Sequence, residues 1–242
     1  VVLISILTLV GLGVASALVL YMASKKFQVF EDPRIDQVEE VLPKSNCGGC
    51  GFPGCRAFAE ALVKADDISD LKCPVGGSAT MTKVSEILGK AVADVKPQLA
   101  VVRCNGSCEH RPKLNIYDGA MSCTMAAALY GGETGCSYGC LGCGDCVVAC
   151  KFDAMYMDEA TGLPVVIEEN CVACGKCVEA CPKNIIELRN VGPKSRRIFV
   201  SCVNKDKGAV AKKACAVACI GCSKCFKVCP HEAITMADNL AY

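Results

Sequence analysis

Residues 140–182 read CLGCGDCVVACKFDAMYMDEATGLPVVIEENCVACGKCVEACP, and this stretch decides the fold of the chain. The spacing C-x2-C-x2-C-x3-C occurs twice in it, and a proline follows the second copy. In bacterial proteins with this spacing, three closely placed cysteines bind one iron–sulfur cluster and the fourth cysteine serves the neighbouring cluster. The stretch therefore predicts two [4Fe–4S] clusters held close together.

The crossed pattern of ligands predicts a ferredoxin-like domain and assigns each cysteine to a cluster. One cluster is predicted to take Cys140, Cys143, Cys146 and Cys181, and the other Cys171, Cys174, Cys177 and Cys150. A pair of zinc knuckles is the alternative, because C-x-x-C is also a zinc signature. Zinc needs only four ligands around one centre, so a third evenly spaced cysteine favours iron and sulfide.

A third copy of the spacing lies near the end of the chain and belongs to a sequence repeat. Its cysteines are Cys219, Cys222, Cys225 and Cys229. The six cysteines from Cys123 to Cys150 recur 79 residues later, a register that indicates duplication. Because no partner run follows, we expect the natural chain to continue beyond Tyr242 and to supply the missing ligand. Alternatively, Cys202 or Cys215 completes this site; neither has another role in the pattern.

A different set of cysteines precedes these runs. The sequence CGGCGFPGC is followed by a Cys-Pro pair, and its four cysteines are Cys47, Cys50, Cys55 and Cys73. The glycines let the backbone approach closely, so that amide groups can donate hydrogen bonds to sulfur. We expect a [4Fe–4S] cluster here, with a glycine-rich zinc loop as the alternative.

Four more cysteines lie between this set and the ferredoxin-like runs. They are Cys104, Cys108, Cys123 and Cys136, and their order predicts one further cluster. The alternative is that some of them are buried thiols without a metal. Four or five [4Fe–4S] clusters are thus expected within the sequence.

The composition excludes several other functions. The 242 residues include 22 cysteines, two histidines and no tryptophan, so clusters rather than a large apolar core should hold small lobes together. The formal net charge of +1 gives no reason to expect nucleic acid as a partner. Neither a nucleophile–base pair nor a phosphate-binding loop is visible, and no catalytic residue is predicted.

The first 23 residues carry no charge and are long enough to cross a bilayer as a helix. Lys25 and Lys26 follow at once, which predicts a membrane-embedded anchor with the C-terminal side in the cytoplasm. A cleaved signal peptide is the alternative, but its apolar core is usually shorter.

The predicted fold class is α+β: one transmembrane helix followed by small iron–sulfur lobes. Asp32 and Pro33 predict a helix start, and we expect helices from Cys55 to about 65 and from Ser78 to about 88, and a strand over 98–103. The predicted segments are an anchor (1–26), a linker (27–45), a single-cluster lobe (46–97), an additional cysteine-rich cluster segment (98–139), a two-cluster ferredoxin-like domain (140–197) and the start of a second such domain (198–242).

An N-terminal anchor followed by NCGGCGFPGC and ferredoxin runs resembles the B subunit of the Rnf complex. That family belongs to ion-translocating ferredoxin:NAD⁺ oxidoreductases of bacterial membranes, and the extra cysteines resemble its long forms in anaerobes. The resemblance implies an electron-transfer subunit of a translocating oxidoreductase. It implies soluble ferredoxin as the electron donor, and flavin- and NAD-binding membrane subunits as partners that drive Na⁺ or H⁺ export.

The same cysteine pattern is also compatible with two other functions. One is a polyferredoxin-like relay subunit of a membrane hydrogenase or heterodisulfide reductase, which would use the same cluster runs. The other is a zinc-binding membrane scaffold, which would use the same cysteines without sulfide.

Overall fold

The structure is a computed structural model that describes residues 2–26, 32–92, 96–129, 131–193 and 196–242. It has the mixed α+β content that the sequence predicts, with small sheets and mostly short helices between cysteine-rich loops. One long apolar helix precedes two separate packed cores.

Helix α1 spans Val2–Lys26 and contains the predicted apolar stretch. It ends at Lys25 and Lys26, and its large apolar side chains that the structure describes are exposed. Over Leu9–Lys26 it is long and apolar enough to cross a membrane, and within the described residues it is the single helix of that kind. Residues 27–31, the first part of the predicted linker, lie outside the described residues.

The first core is a bundle of three short helices. Helix α2 (Pro33–Val41) begins as predicted, since the Asp32 carboxylate accepts a hydrogen bond of 2.9 Å from the backbone N–H of Arg34. Helices α3 (Cys55–Lys64) and α4 (Gly77–Leu88) match the two predicted helices within one residue. They enclose an apolar core that includes the fully buried residues Val38, Phe58, Leu62, Met81 and Val84. This bundle is the support for the loops that carry the first cysteine set.

The second core is formed around a strand pair that joins distant parts of the sequence. Strand β1 (Gln98–Val102) pairs antiparallel with β4 (Ile186–Asn190), so that Ala100 lies opposite Leu188. Strands β2 (Met155–Asp158) and β3 (Leu163–Val166) form a hairpin on the same core. The segment predicted to be separate at 98–139 is therefore attached to the ferredoxin-like domain through β1.

Each cysteine run forms the same local structure. Helices α6 (Asp145–Val148), α7 (Lys176–Glu179) and α9 (Lys224–Val228) each begin after a residue in the left-handed conformation. Gly144 and Gly175 take this conformation without cost, whereas the third run has Ser223 at φ +57°. The structure thus confirms that the third run repeats the first two in backbone as well as in sequence.

The remaining elements follow the repeat only in part. Helix α5 (Cys123–Leu129) begins at Cys123, whereas α8 (Gly208–Ala214) begins beyond Cys202, the counterpart of Cys123. Strands β5 (Met236–Ala237) and β6 (Leu240–Ala241) form a hairpin after the third run, as β2 and β3 do after the first.

Candidate cluster-binding sites

The four cysteines of the first set converge at the edge of the helical bundle. Cys73 is buried, and Cys50 and Cys55 pack against the same core. Burial raises the pKa of the Cys73 thiol, and the charges of Cys50, Cys47 and Cys55 raise it further. The predicted ligands are therefore brought together from two loops and the first residue of α3.

Backbone amides surround the sulfur atoms of this set. The N–H of Gly76 donates to Cys73 Sγ at 3.3 Å, and the N–H of Gly49 donates to Cys47 Sγ at 3.5 Å. Asn46 Oδ1 accepts from the N–H of Cys55 at 2.8 Å and so fixes the start of α3. Amide donors to sulfur stabilise negative charge, which is what a thiolate-bound cluster carries.

Cys150, Cys171, Cys174 and Cys177 line one cavity in the ferredoxin-like domain. It contains about 340 Å³ of space free of protein atoms, and its other walls are mostly apolar, including Ala100 and Leu188. This is the ligand set that the sequence predicts for the second run, with Cys150 contributed by the first run. The shape and the thiol lining suit a compact inorganic cluster.

A second cavity of about 340 Å³ has a lining that differs from the prediction in one residue. Cys140, Cys146 and Cys181 line it as expected, but the fourth thiol on its wall is Cys123. Cys143 lines an adjoining, larger cavity of about 1020 Å³ instead, and its pKa is raised to about 11 by burial and by the nearby Cys123. Five cysteines thus lie around one predicted cluster site.

Helix α5 brings Cys123 to this cavity because Asp145 holds the start of the helix. The carboxylate of Asp145 accepts hydrogen bonds from the N–H of Thr124 (3.1 Å) and the hydroxyl of Ser122 (3.0 Å). Although burial alone would raise the pKa of Asp145, hydrogen bonds from the backbone N–H groups of Cys123 and Thr124 hold it below its usual value. Sequence reasoning missed this contact.

One sequence signal could have indicated it. Asp145 stands where the other two runs have Lys176 and Lys224. Because only one of the three runs has an acidic residue at this position, that residue is expected to have a special partner. A group of free N–H donors, such as the start of a helix, is a suitable one.

The buried thiols of these cavities are strongly shifted away from the thiolate form. Burial raises the pKa of Cys140 and Cys177 to about 12 and that of Cys146 to about 11. A metal ligand must be deprotonated, so binding of iron releases these protons and supplies the positive charge that each thiolate otherwise lacks. The donor set therefore fits [4Fe–4S] clusters, since binding to iron compensates the charge of thiolates in an apolar cavity.

The predicted set of Cys104, Cys108, Cys123 and Cys136 is not brought together. Cys123 lines the cavity of the first run, and Cys108 is exposed, with its N–H donating to the carbonyl oxygen of Thr161. Cys104 and Cys136 lie elsewhere, with Cys202 and Cys215. The physical reason is that two unrelated contacts position the segment: β1 pairs with β4, and the start of α5 is held by Asp145.

The third run is more open than the first two. Cys222 and Cys225 are exposed, and Cys219 and Cys229 are half-buried. The N–H of Cys219 donates to Cys202 Sγ at 3.4 Å. Cys202 is thus in direct contact with the first cysteine of the third run.

Adjacent cysteine sites lie close enough to affect one another electrostatically. Burial is the largest cause of the raised pKa of Cys174, and the charge of Cys47 adds to it. In the same way, burial is the main cause of the raised pKa of Cys177 and Cys140, and the charges of Cys146 and Cys104, respectively, raise it further. The contacts agree with this for the first sites, since Gly49 of the first set packs against Cys174 and Cys150 of the first run lines the cavity of the second run.

Three iron–sulfur family models match parts of this chain. The FeS family, an Fe-S cluster domain, matches residues 42–75. The 4Fe-4S dicluster domain matches residues 139–185, and the 4Fe-4S double cluster binding domain matches residues 170–232. In the described part of the chain, no three His, Cys, Asp or Glu side chains are grouped to hold a single metal ion. The chain is thus one that binds several [4Fe–4S] clusters.

Three similar proteins cover most of this sequence. The B subunit of the proton-translocating ferredoxin:NAD(+) oxidoreductase complex of Clostridium ljungdahlii is 46 % identical over 98 % of the chain and 81 % of its own length. The B subunit of the Na(+)-translocating complex of Acetobacterium woodii is 44 % identical over 96 % and 66 %, respectively. The B subunit of the ion-translocating oxidoreductase complex of Methanosarcina acetivorans is 42 % identical over 88 % and 79 %. On these grounds the chain belongs to the family of B subunits of the ion-translocating ferredoxin:NAD⁺ oxidoreductase, or Rnf, complex.

Proposed function

We propose that this chain accepts electrons from reduced soluble ferredoxin and passes them through its clusters to membrane partner subunits. The observation that carries the proposal is that neighbouring thiol-lined sites touch: Gly49 of the first set packs against Cys174, and Cys150 of the first run lines the cavity of the second run. Neighbouring one-electron centres in such an order suit stepwise transfer along the chain. The clusters supply the redox chemistry, and the protein supplies burial, spacing and hydrogen bonds to sulfur.

The protein's own residues act by holding charge rather than by making bonds. Apolar walls exclude water from the cavities, and this disfavours added negative charge. Amide donors such as Gly49 and Gly76 oppose that effect at the first site. We therefore expect the potentials of the sites to differ, with the more exposed and hydrogen-bonded sites easier to reduce.

Helix α1 is proposed to be a single-pass anchor with all the cluster sites on the cytoplasmic side. Its apolar side chains are exposed and suit contact with lipid, and Lys25 and Lys26 mark its cytoplasmic end. Anchoring would keep the relay beside its membrane partners.

The partners are proposed to hold the flavins and the NAD⁺ site of the complex. The relatives are named for proton translocation in one case and Na⁺ translocation in another, so the family membership is compatible with either ion. This chain would contribute electron input and no ion pathway of its own.

The proposal is tested with the full chain, purified in detergent without air. Mixing with reduced ferredoxin should bleach the visible cluster absorption, whereas NADH should leave it unchanged because NAD⁺ is handled on another subunit. If protein with a full complement of iron stays oxidised after mixing with reduced ferredoxin, the proposed electron donor is wrong.

A further inference from the structure

Four cysteines from four parts of the sequence line a third small cavity. Cys104 follows β1, Cys136 precedes the first run, and Cys202 and Cys215 lie before the third run. The space free of protein atoms is about 330 Å³, against about 340 Å³ for each cavity of the ferredoxin-like domain. A cavity of the same size with the same number of thiols suits the same kind of occupant.

The sulfur atoms of this cavity have hydrogen-bond donors of the kind found at the first site. Asn204 is 1 % exposed, and its side-chain amide donates to Cys136 Sγ at 3.5 Å. Its other side-chain atom, Oδ1, accepts from the N–H of Asp206 at 2.7 Å, so the orientation of the amide is fixed. Cys219 N–H donates to Cys202 Sγ at 3.4 Å. Buried donors directed at thiols stabilise these groups as thiolates.

A buried positive charge also lies on the wall. Arg111 is 6 % exposed, and among the described residues its Nε has no hydrogen-bond partner. A buried guanidinium is costly unless a negative group compensates it. A cluster bound by four thiolates carries net negative charge and would compensate the charge of Arg111.

Two glycines keep the backbone close to the sulfur atoms. A Cβ at Gly106 would lie 3.2 Å from Cys215 Sγ, and a Cβ at Gly139 would lie 3.4 Å from Cys136 Sγ. Any side chain at Gly106 would therefore press on a thiol of the cavity. This close approach resembles the role of glycine in the CGGC loop of the first site.

We propose that Cys104, Cys136, Cys202 and Cys215 are the ligands of a further [4Fe–4S] cluster, which lies next to the Cys140 site and extends the relay by one step. The proposal rests on the proposed iron–sulfur relay for its purpose but not for its test. It also accounts for the two cysteines that the sequence pattern left without a role, and it leaves Cys108 outside every site.

The test is iron and acid-labile sulfide per chain on full-length protein purified without air. Cys215→Ala and Cys104→Ala should each lose about four irons and four sulfides relative to the wild-type chain, because one cube is lost. The double variant should lose the same four and not eight, since both cysteines serve one cluster. Cys108→Ala, which removes an exposed thiol, is the matched control and should keep the full content.

Each other result has a definite meaning. Unchanged iron in Cys215→Ala, or the loss of one zinc instead of iron and sulfide, overturns the assignment. If an alanine variant loses all its iron through misfolding, Cys202→Ser decides: it should keep its iron and change the EPR spectrum of one cluster, and an unchanged spectrum overturns the assignment. A wild-type chain without iron would instead refute the proposed function itself.

Discussion

Replacing Cys123 by alanine should remove one cluster, whereas replacing Cys143 should remove none. The structure places Cys123 with Cys140, Cys146 and Cys181 on the wall of one cavity of about 340 Å³, and Cys143 on the wall of an adjoining, larger cavity of about 1020 Å³. The sequence spacing alone predicts the opposite, because Cys143 belongs to the regular run. The two thiols lie side by side, so they form a matched pair of variants.

The magnitude follows from the ligand sets. Apart from the third run, four sites with four cysteines each hold about sixteen irons, so loss of one cube removes about a quarter of that iron and sulfide. If only the unligated iron leaves, a [3Fe–4S] cluster remains and the loss is about one iron. Cys143→Ala should show neither change.

The assay is iron and sulfide analysis together with EPR of the oxidised protein, where a three-iron cluster gives its own signal. Full iron in Cys123→Ala combined with a loss in Cys143→Ala would refute the reading of the cavity and restore the assignment made from spacing.

Three further outcomes follow from individual contacts. Asp145→Ala should destabilise α5 by about 0.5–2 kcal/mol, because the N–H groups at its start lose their acceptor, and cluster absorption should be lost faster on heating. The pKa of Asp145 is lowered on folding, so the extra stability of the wild type over the variant should be complete above about pH 4. It should shrink as the pH falls through the pKa that Asp145 has in the folded protein. Equal rates of loss of cluster absorption in the two proteins at pH 7 would contradict this. Gly49→Ala would place a Cβ 2.9 Å from the carbonyl oxygen of Cys174, at a cost of about 1–3 kcal/mol. Because this pushes the two sites apart, the magnetic coupling between their reduced clusters should weaken. Unchanged EPR relaxation would count against the contact. Lys90→Met removes an ammonium group that donates to three carbonyl oxygens at the end of α3. The substitution should lower the stability of the first lobe by about 1.5–3 kcal/mol, measured as a lower temperature for loss of its cluster. An unchanged temperature would show that water replaces the ammonium group.

The sequence by itself predicted the elements that depend on local pattern. The apolar run of α1, the Asp32 cap of α2 and the helices after Cys55 and Gly76 agree with the structure, because helix starts and amphipathic spacing are local properties. Cysteines three residues apart must lie near one another, so the cysteine runs were recognisable without a fold.

Only the tertiary structure decided which distant cysteines meet. The pairing of β1 with β4 carries Cys104 towards the third run, and the contact of Asp145 with α5 carries Cys123 to the first. No sequence spacing predicts either contact, because the partners are far apart in the chain. Strand register selects the partners in the first case, and helix capping selects them in the second. For the same reason the spatial order of the sites could not be read from the chain: it depends on how the lobes pack, and that packing fixes which sites are neighbours.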